Sequence, residues 1–179
     1  MTDLSGKNVA IIAVDFVEDA ELTTPRDALR EAGADVGVYS PEGDPIRAVA
    51  RDTEPTQEID VDGSFDDIDV ENIDALVVPG GTVNADRLRT DSSAQTLARQ
   101  VLGADKPLAA ICHGPWLLVS AGLVAGRRLT SYPSLSVDIK NAGGDWVDEE
   151  VVVDHHLITS RNPGDLDAFV GALKDALSG

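Results

Sequence analysis

The sequence predicts an α/β fold: one domain, residues 1–179, built on a mostly parallel sheet with helices on both faces. Short apolar, β-branched runs alternate with stretches of helical periodicity, an order typical of repeated β-α-β units. The apolar runs are continuous rather than alternating, as in strands buried on both faces. The length of 179 residues suits a single core.

The first β-α-β unit is predicted from residues 7–41. KNVAIIAVDF, residues 7–16, has the composition of a buried strand. EDAELTTPRDALREAGA, residues 18–34, places leucines at helical spacing and stops at Gly33. DVGVYSP, residues 35–41, predicts the second strand.

The same order then repeats. IDALVVPGG, residues 73–81, predicts a strand that ends in glycines, and NADRLRTDSSAQTLARQVLGA, residues 84–104, predicts one helix. KPLAAI, residues 106–111, is another buried strand. GPWLLVSAGL, residues 114–123, predicts a short helix with Pro115 in its first turn, where a missing N–H costs nothing.

The last third of the chain is less regular. SVDIKNAGG, residues 136–144, predicts a helix that ends at glycines, and DWVDEEVVVDHHLITSR, residues 145–161, a hairpin or paired strands. PGDLDAFVGALKDALSG, from Pro163 onward, predicts a C-terminal helix. No linker or repeat interrupts the chain, which supports the prediction of a single domain.

The charge of the chain limits its partners. It has 32 acidic residues against 14 basic ones, a net charge of −18, so nucleic acid and anionic membranes are disfavoured by electrostatic repulsion. Aspartate dominates with 23 residues, and only four lysines are present. Such a surface favours a salt-adapted (halophilic) host, because self-repulsion is screened at high salt; an ordinary acidic protein is the alternative.

The cellular location is predicted from the single cysteine and the apolar runs. One cysteine cannot form an internal disulfide, which favours a reducing compartment. The N-terminal residues lack a basic leader, and no apolar run reaches the roughly 18 residues of a membrane span. A cytoplasmic protein with no membrane partner is expected.

Three groups of polar residues or glycines follow predicted strands. They are Glu18 and Asp19, then Pro79-Gly80-Gly81, then Cys112-His113-Gly114. Ligands of parallel sheets bind at the carboxyl ends of the strands, so we expect these groups to form one site. AAICHG has the outline of a nucleophile elbow, and the following helix N-terminus is expected to lower the pKa of Cys112 from about 8.5 toward 7.

The residues around Cys112 offer the remaining parts of an acyl-transfer site. Backbone N–H groups of Gly81 and His113 are candidates for an oxyanion hole, and Glu18 for proton transfer with Cys112. His113 has two interpretations: its ring takes the thiol proton, or it contributes only its backbone N–H. The alternative is that Cys112 is a buried, unreactive residue with no catalytic role.

No metal or cofactor is predicted. DVDGSFDDIDVE, residues 60–71, spaces its acids like a calcium loop, but Phe65 stands where the sharp turn needs glycine, and a solvated acidic loop is expected. His155 and His156 are adjacent, so on a strand they point to opposite faces. No phosphate loop or dinucleotide fingerprint is present.

Several segments resemble the ThiJ/PfpI superfamily, in particular the PfpI-type intracellular proteases and related deglycases. They are FVEDAEL, LVVPGG, AICHGPWLLVSAGLVAGRRLTSYPS, NAGGDWVDEEVVVD and LITSRNPGDL. This resemblance implies a flavodoxin-like sandwich of the class I glutamine amidotransferase type. It also implies homo-oligomers, either dimers or hexamers built from them.

The resemblance also implies roles for individual residues. Cys112 is the nucleophile, His113 its partner, and Glu18 the carboxylate that hydrogen-bonds the cysteine. Tyr132 corresponds to a tyrosine near the pocket. In PfpI-type proteins a glutamate from a neighbouring subunit completes a Cys-His-Glu triad; the nearest match here is Asp86, which departs from the pattern by its shorter side chain and by one extra residue in its segment.

The expected activity is a cysteine-dependent hydrolysis of a peptide or amide. The alternative is a deglycase or glyoxalase reaction on methylglyoxal or its protein adducts, since both begin with attack of a thiol on an electrophilic carbon. A redox-stress sensor, in which oxidation of Cys112 matters more than turnover, and a chaperone-like oligomer stay open. The expected partner is a small carbonyl compound or a peptide.

Overall fold

A computed structural model describes residues 2–179 of the chain. The strands are β1 (Asn8–Ile12), β2 (Val17–Glu18), β3 (Asp35–Ser40), β4 (Ile46–Ala50), β5 (Glu54–Ile59), β6 (Gly63–Ser64), β7 (Ala75–Val78), β8 (Leu108–Ile111), β9 (Arg128–Leu129), β10 (Asp145–Trp146), β11 (Val151–Asp154) and β12 (Leu157–Ser160). The helices are α1 (Asp19–Glu31), α2 (Thr82–Leu88), α3 (Ser92–Gly103), α4 (Pro115–Ser120), α5 (Ser136–Asn141) and α6 (Leu166–Ser178).

The main sheet has seven strands in the order β11-β12-β8-β7-β1-β3-β6. All neighbours are parallel except the β11–β12 hairpin, which is antiparallel. The predicted α/β fold with a mostly parallel sheet is therefore confirmed. The strand order runs from β1 through β3 to one edge and from β1 through β7 to the other, so the direction of the chain reverses next to β1.

The core lies in two layers, one on each face of the sheet. Val9 and Ile11 of β1 pack with α1 and α6 on one face. Ala10 and Ile12 pack with α3, α4 and α5 on the other. Successive residues of a strand point to opposite faces, so a continuous apolar run is what a doubly covered strand needs.

The single helix predicted over residues 84–104 is wrong. The chain forms α2 and α3 with a break between them, and the side chain of Asp91 accepts the N–H of Ala94 at 2.8 Å as the N-cap of α3. A capping aspartate satisfies an orphan N–H of a new helix. The short α2 thereby ends at Leu88, and the chain turns before α3 begins.

A second, three-stranded sheet of β2, β4 and β5 was not predicted. Strands β4 and β5 form an antiparallel hairpin, and β2 pairs in parallel with β4. β5 reads EPTQEI, and all but its last residue are exposed, so it lacks the apolar alternation that predicts a strand. The turn of this hairpin is formed by Arg51 and Asp52, both with left-handed backbone, at φ 54° and 65°.

The acidic segment of residues 60–71 bonds to its own surroundings. Asp62 accepts the N–H of Val38, Asp67 that of Ser64, and Asp69 that of Glu71. Across residues 2–179, no group of histidine, cysteine, aspartate or glutamate side chains is arranged to hold a metal ion. Within the same range, no helix combines the length and apolarity required to cross a bilayer.

Candidate active site

Three neighbouring strands bring the candidate residues together. β7 lies between β1 and β8 in the sheet, and the three strands are parallel. Cys112 directly follows β8, Pro79 to Gly81 follow β7, and the segment after β1 leads into α1. The site therefore lies at the carboxyl edge of the sheet, beside the reversal of strand order.

Cys112 occupies a strained elbow between β8 and α4. Its φ is 60°, in the left-handed region that non-glycine residues rarely adopt. The backbone is fixed on both sides, because the N–H of Cys112 donates to Ser160 O at 3.0 Å and its carbonyl accepts from Tyr132 at 2.8 Å. A Cβ at Gly114 would lie 2.5 Å from Val78 O, so only glycine fits there. The predicted elbow is present.

Two backbone N–H groups face the sulfur. They belong to His113 and Gly81, and both stabilise the thiolate of Cys112. Gly81 has φ 89°, and a Cβ there would lie 2.5 Å from Phe16 O and 2.7 Å from the N of Glu18. The glycine thus allows the β7–α2 loop to pass close to the chain that leads into α1, and so to reach Cys112.

The carboxyl beside the cysteine is Glu21, and the prediction that Glu18 hydrogen-bonds Cys112 is wrong. The carboxylate of Glu18 instead accepts the N–H groups of Arg51 and Asp52, at 3.0 and 3.1 Å. α1 begins at Asp19, so Glu18 precedes the first turn. Glu21 lies on the buried face of α1 and points at the end of the sheet.

Glu21 is fully buried and protonated at neutral pH. Burial raises its pKa to about 8, although the N–H of Gly80, at 2.8 Å from Oε2, acts in the opposite direction. The charges of Glu18 and Asp52 add to the rise. Its Oε1 has no hydrogen-bond partner among the described residues. A neutral carboxyl next to a nucleophile can hold or deliver a proton.

Burial opposes ionisation of the Cys112 thiol. It raises the pKa of that thiol, against the two N–H groups that lower it, and Glu21 would raise it further once ionised. The expectation that the helix N-terminus favours the anion stays a prediction: α4 has only six residues, and burial acts in the opposite direction. A base must take the proton when the sulfur reacts.

The ring of His113 faces the sulfur. Nδ1 lies 3.2 Å from Sγ of Cys112, and Nε2 lies 3.4 Å from the hydroxyl of Ser134. Burial lowers the pKa of His113, and the charge of Asp52 partly opposes this. The imidazole is therefore neutral at pH 7, and a neutral imidazole can accept a proton. Of the two interpretations of His113, the contact expected for the base is present.

Of the two remaining predicted residues, Tyr132 contacts His113 and Asp86 does not. The ring of Tyr132 stacks on His113, with centroids 4.5 Å apart, and it is 41% exposed, so it forms a wall open to solvent. Asp86 lies on the exposed side of α2 and makes no hydrogen bond or ion pair with His113 within residues 2–179. Its role in a neighbouring subunit stays a prediction.

Sequence reasoning missed two buried polar residues at this site. Glu21 shares helical spacing with Leu22, Pro25 and Leu29, all buried; Glu18 fits the same spacing, and only the start of α1 at Asp19 separates the two glutamates. Asn84 is also fully buried, accepts the N–H of Val14, and donates to the carbonyls of Pro79 and Gly80. It holds the Pro-Gly-Gly loop, and no periodicity in the sequence marks it.

The chain is similar to known proteins over almost its full length. It is 43% identical over 162 residues to a deglycase of Pyrococcus abyssi, covering 90% of this chain and 94% of the relative. It is 40% identical over 165 residues to protein/nucleic acid deglycase 2 of Escherichia coli, covering 91% and 93%. The crystal structure of DJ-1beta of Drosophila melanogaster superposes with a TM-score of 0.88 at 31% identity, covering 97% of this chain and 91% of that one.

These comparisons confirm the resemblance seen in the sequence motifs. The relatives are named as enzymes, which confirms the prediction that this chain is an enzyme. The flavodoxin-like arrangement is shared with the solved structure. Residues 7–176 match the DJ-1/PfpI family, and the chain belongs to that family.

Proposed function

We propose that the chain is a deglycase or glyoxalase type of enzyme that uses Cys112 to convert a dicarbonyl compound, or its adduct on an amine, to a hydroxy acid. The observation that carries this proposal is the pairing of a buried thiol with a buried, protonated carboxyl, Glu21. The names of the relatives support it. The sequence had favoured a peptidase or amidase, with this activity as the alternative.

The reaction needs proton movement at two neighbouring carbons, and the site offers two groups for it. Sγ of Cys112 adds to the aldehyde carbon of methylglyoxal while its proton passes to Nδ1 of His113, which lies 3.2 Å away. The aldehyde oxygen takes up a proton, and a hemithioacetal results. The N–H groups of Gly81 and His113 face this centre and stabilise negative charge on oxygen.

The hemithioacetal then rearranges and is hydrolysed. One proton leaves the carbon that bears sulfur and one is added to the neighbouring carbonyl carbon, while the hydroxyl proton moves from the first oxygen to the second, which gives a thioester with no gain or loss of atoms. Water cleaves the C–S bond of the thioester, so that lactate and the free thiol are formed. Glu21 and His113 are the groups positioned to carry these protons.

A peptidase is the second candidate function, and it depends on one residue, Asp86. A peptidase triad needs a carboxylate on the second nitrogen of the histidine. Within this chain, Nε2 of His113 lies near the hydroxyl of Ser134, so Asp86 of a neighbouring subunit would have to supply that carboxylate. The peptidase therefore requires the predicted dimer or hexamer, whereas the dicarbonyl reaction does not.

The charge of the chain bears on the substrate. The relative in Escherichia coli is named for protein and nucleic acid, but a net charge of −18 disfavours approach of a polyanion. We therefore propose small carbonyl compounds and protein adducts as substrates, in the cytoplasm.

The test compares wild type with Cys112→Ser on three substrates: free methylglyoxal, its adduct with N-acetylarginine, and a chromogenic peptide anilide. We expect lactate from one or both of the first two, and a loss of at least about 10³-fold in the variant. His113→Gln is compared with His155→Gln, since His155 lies exposed in the β11–β12 turn. The assays use phosphate buffer without amines, because buffer amines react with free methylglyoxal and remove it.

The rate on the adduct separates the two dicarbonyl activities. Lactate formed faster than the adduct dissociates by itself indicates a deglycase, and lactate limited by that dissociation indicates a glyoxalase. Equal rates of wild type and Cys112→Ser in all three assays would end the proposal of a cysteine enzyme. Cleavage of the anilide alone would favour the peptidase.

A further inference from the structure

The turn of the β4–β5 hairpin reaches the mouth of the active site. Its two central residues, Arg51 and Asp52, have φ of 54° and 65°. Hairpin turns of this kind favour asparagine and glycine, because both positions need left-handed backbone. Arginine and aspartate carry strain there, so contacts outside the turn must hold it.

Glu18 supplies those contacts. Its two carboxylate oxygens accept the N–H groups of Arg51 and Asp52, at 3.0 and 3.1 Å. The backbone N–H of Glu18 itself donates to Gly80 O at 3.2 Å. One residue at the start of α1 therefore connects the hairpin turn to the glycine loop that follows β7.

Asp52 makes the second connection to this loop. One of its oxygens accepts the N–H of Thr82 at 2.7 Å, and the other accepts the hydroxyl of Thr82 at 3.0 Å. Thr82 directly follows Gly81, whose N–H faces the sulfur of Cys112. The position of that N–H is thus fixed from both ends, through Gly80 and through Thr82.

We propose that Glu18 and Asp52 are positioning residues, which hold the Gly80–Gly81 loop so that its N–H group meets the reacting sulfur and oxygen. Neither side chain needs to touch the substrate. The inference rests on the proposed function only in taking Cys112 as the nucleophile. It gives the otherwise unexplained three-stranded sheet a purpose, because that sheet carries Asp52 to the loop.

The test measures alkylation of Cys112 by iodoacetamide across pH 6 to 10, together with kcat and KM for methylglyoxal. Asp52→Ala is expected to slow alkylation about tenfold and to lower kcat about ten- to a hundredfold, with KM changed less than about threefold. Asp52→Asn should restore most of both, because its amide can accept the N–H of Thr82 and donate to the hydroxyl. Glu58→Gln, an exposed acid on β5, is the matched control.

The proposal is overturned if Asp52→Ala and Glu58→Gln share one alkylation profile and one kcat. Circular dichroism checks the fold of each variant. If Asp52→Ala does not fold, Thr82→Val decides, because it keeps the N–H and loses only the hydroxyl: a loss of about threefold or more in alkylation supports the proposal, and the wild-type rate overturns it. Alkylation needs no substrate, so it remains informative even if Cys112→Ser leaves every activity intact.

Discussion

Glu21 links the chemistry of the site to the stability of the fold. Its pKa is raised to about 8 in the folded chain from an ordinary value of 4.5, chiefly by burial. Between these two values the unfolded carboxyl is ionised while the folded one keeps its proton, so unfolding releases a proton. The contribution of Glu21 to stability is therefore most favourable below about pH 4.5 and falls as pH rises toward 8.

The variant Glu21→Gln cannot ionise and should escape this loss. We expect its free energy of unfolding, relative to wild type, to increase by about 1–3 kcal/mol between pH 5 and pH 8, since one pKa unit corresponds to about 1.4 kcal/mol. Urea unfolding at both pH values measures the difference. Glu58→Gln, exposed on β5, should show no such change. A difference that is the same at pH 5 and pH 8 would mean that Glu21 is already ionised in the fold.

The sequence predicted the position of the active site correctly but assigned the wrong glutamate to it. Cys112, His113 and Gly81 follow strand ends, and position after a strand can be read from apolar runs. Glu18 and Glu21 both lie in FVEDAEL, and only the first residue of α1 decides which of them faces inward. Glu18 and Glu21 are three residues apart, so a helix that began before Glu18 would place both on one face, and helix starts are the least certain part of such a prediction.

At the scale of an element, the β7–α2 loop depends on glycine. Gly81→Ala introduces a Cβ that would lie 2.5 Å from Phe16 O and 2.7 Å from the N of Glu18, at φ 89°. We expect a loss of stability of about 2–4 kcal/mol and slower alkylation of Cys112, because the loop must move away from the chain that leads into α1. Thermal unfolding and iodoacetamide kinetics measure the two effects.

Gly126→Ala separates backbone strain from steric overlap. Gly126 has φ 74°, and a Cβ there meets no atom within 4 Å. It should cost only about 1 kcal/mol of strain and leave alkylation at the wild-type rate. Equal effects of the two variants on alkylation would show that the close approach of the loop to the chain before α1 is not needed to hold its N–H at the sulfur.

The elements that the sequence predicted well are those with apolar periodicity. The helices α1, α4 and α6 follow it, as do the strands of the main sheet except β6, which lies in the segment expected to be an acidic loop. The break between α2 and α3 depends on one capping residue, Asp91, inside an otherwise helical pattern. The β4–β5 hairpin depends on contacts of Glu18 and on pairing with β2, which are distant in sequence. Asp52 could not be predicted, because the hairpin that carries it could not.

At the scale of the whole molecule, the order and parallel direction of the strands bring the residues of the site together. Parallel strands end at one edge, so residues as far apart as Glu21 and Cys112 meet without any local signal. The sequence predicts that the strand ends meet once the sheet is taken as parallel, which is why the general location of the site followed from strand ends alone. The sequence does not predict which side chains are neighbours at that end of the sheet.

The charge of the whole molecule predicts its response to salt. With a net charge of −18, repulsion between surface acids opposes folding, and the Debye length falls from about 10 Å at 0.1 M salt to about 3 Å at 1 M. We expect the unfolding midpoint to rise with KCl. A variant in which four exposed acids are neutralised should rise less: Glu42→Gln, Asp66→Asn, Asp167→Asn and Asp175→Asn. Each of these side chains is at the surface, so their neutralisation should change repulsion and leave the core intact.

Sucrose at matched osmolality controls for effects of solute exclusion, which would act on both proteins alike. If wild type is fully stable without salt, and both proteins respond equally to KCl, the acidic surface is not an adaptation to salt.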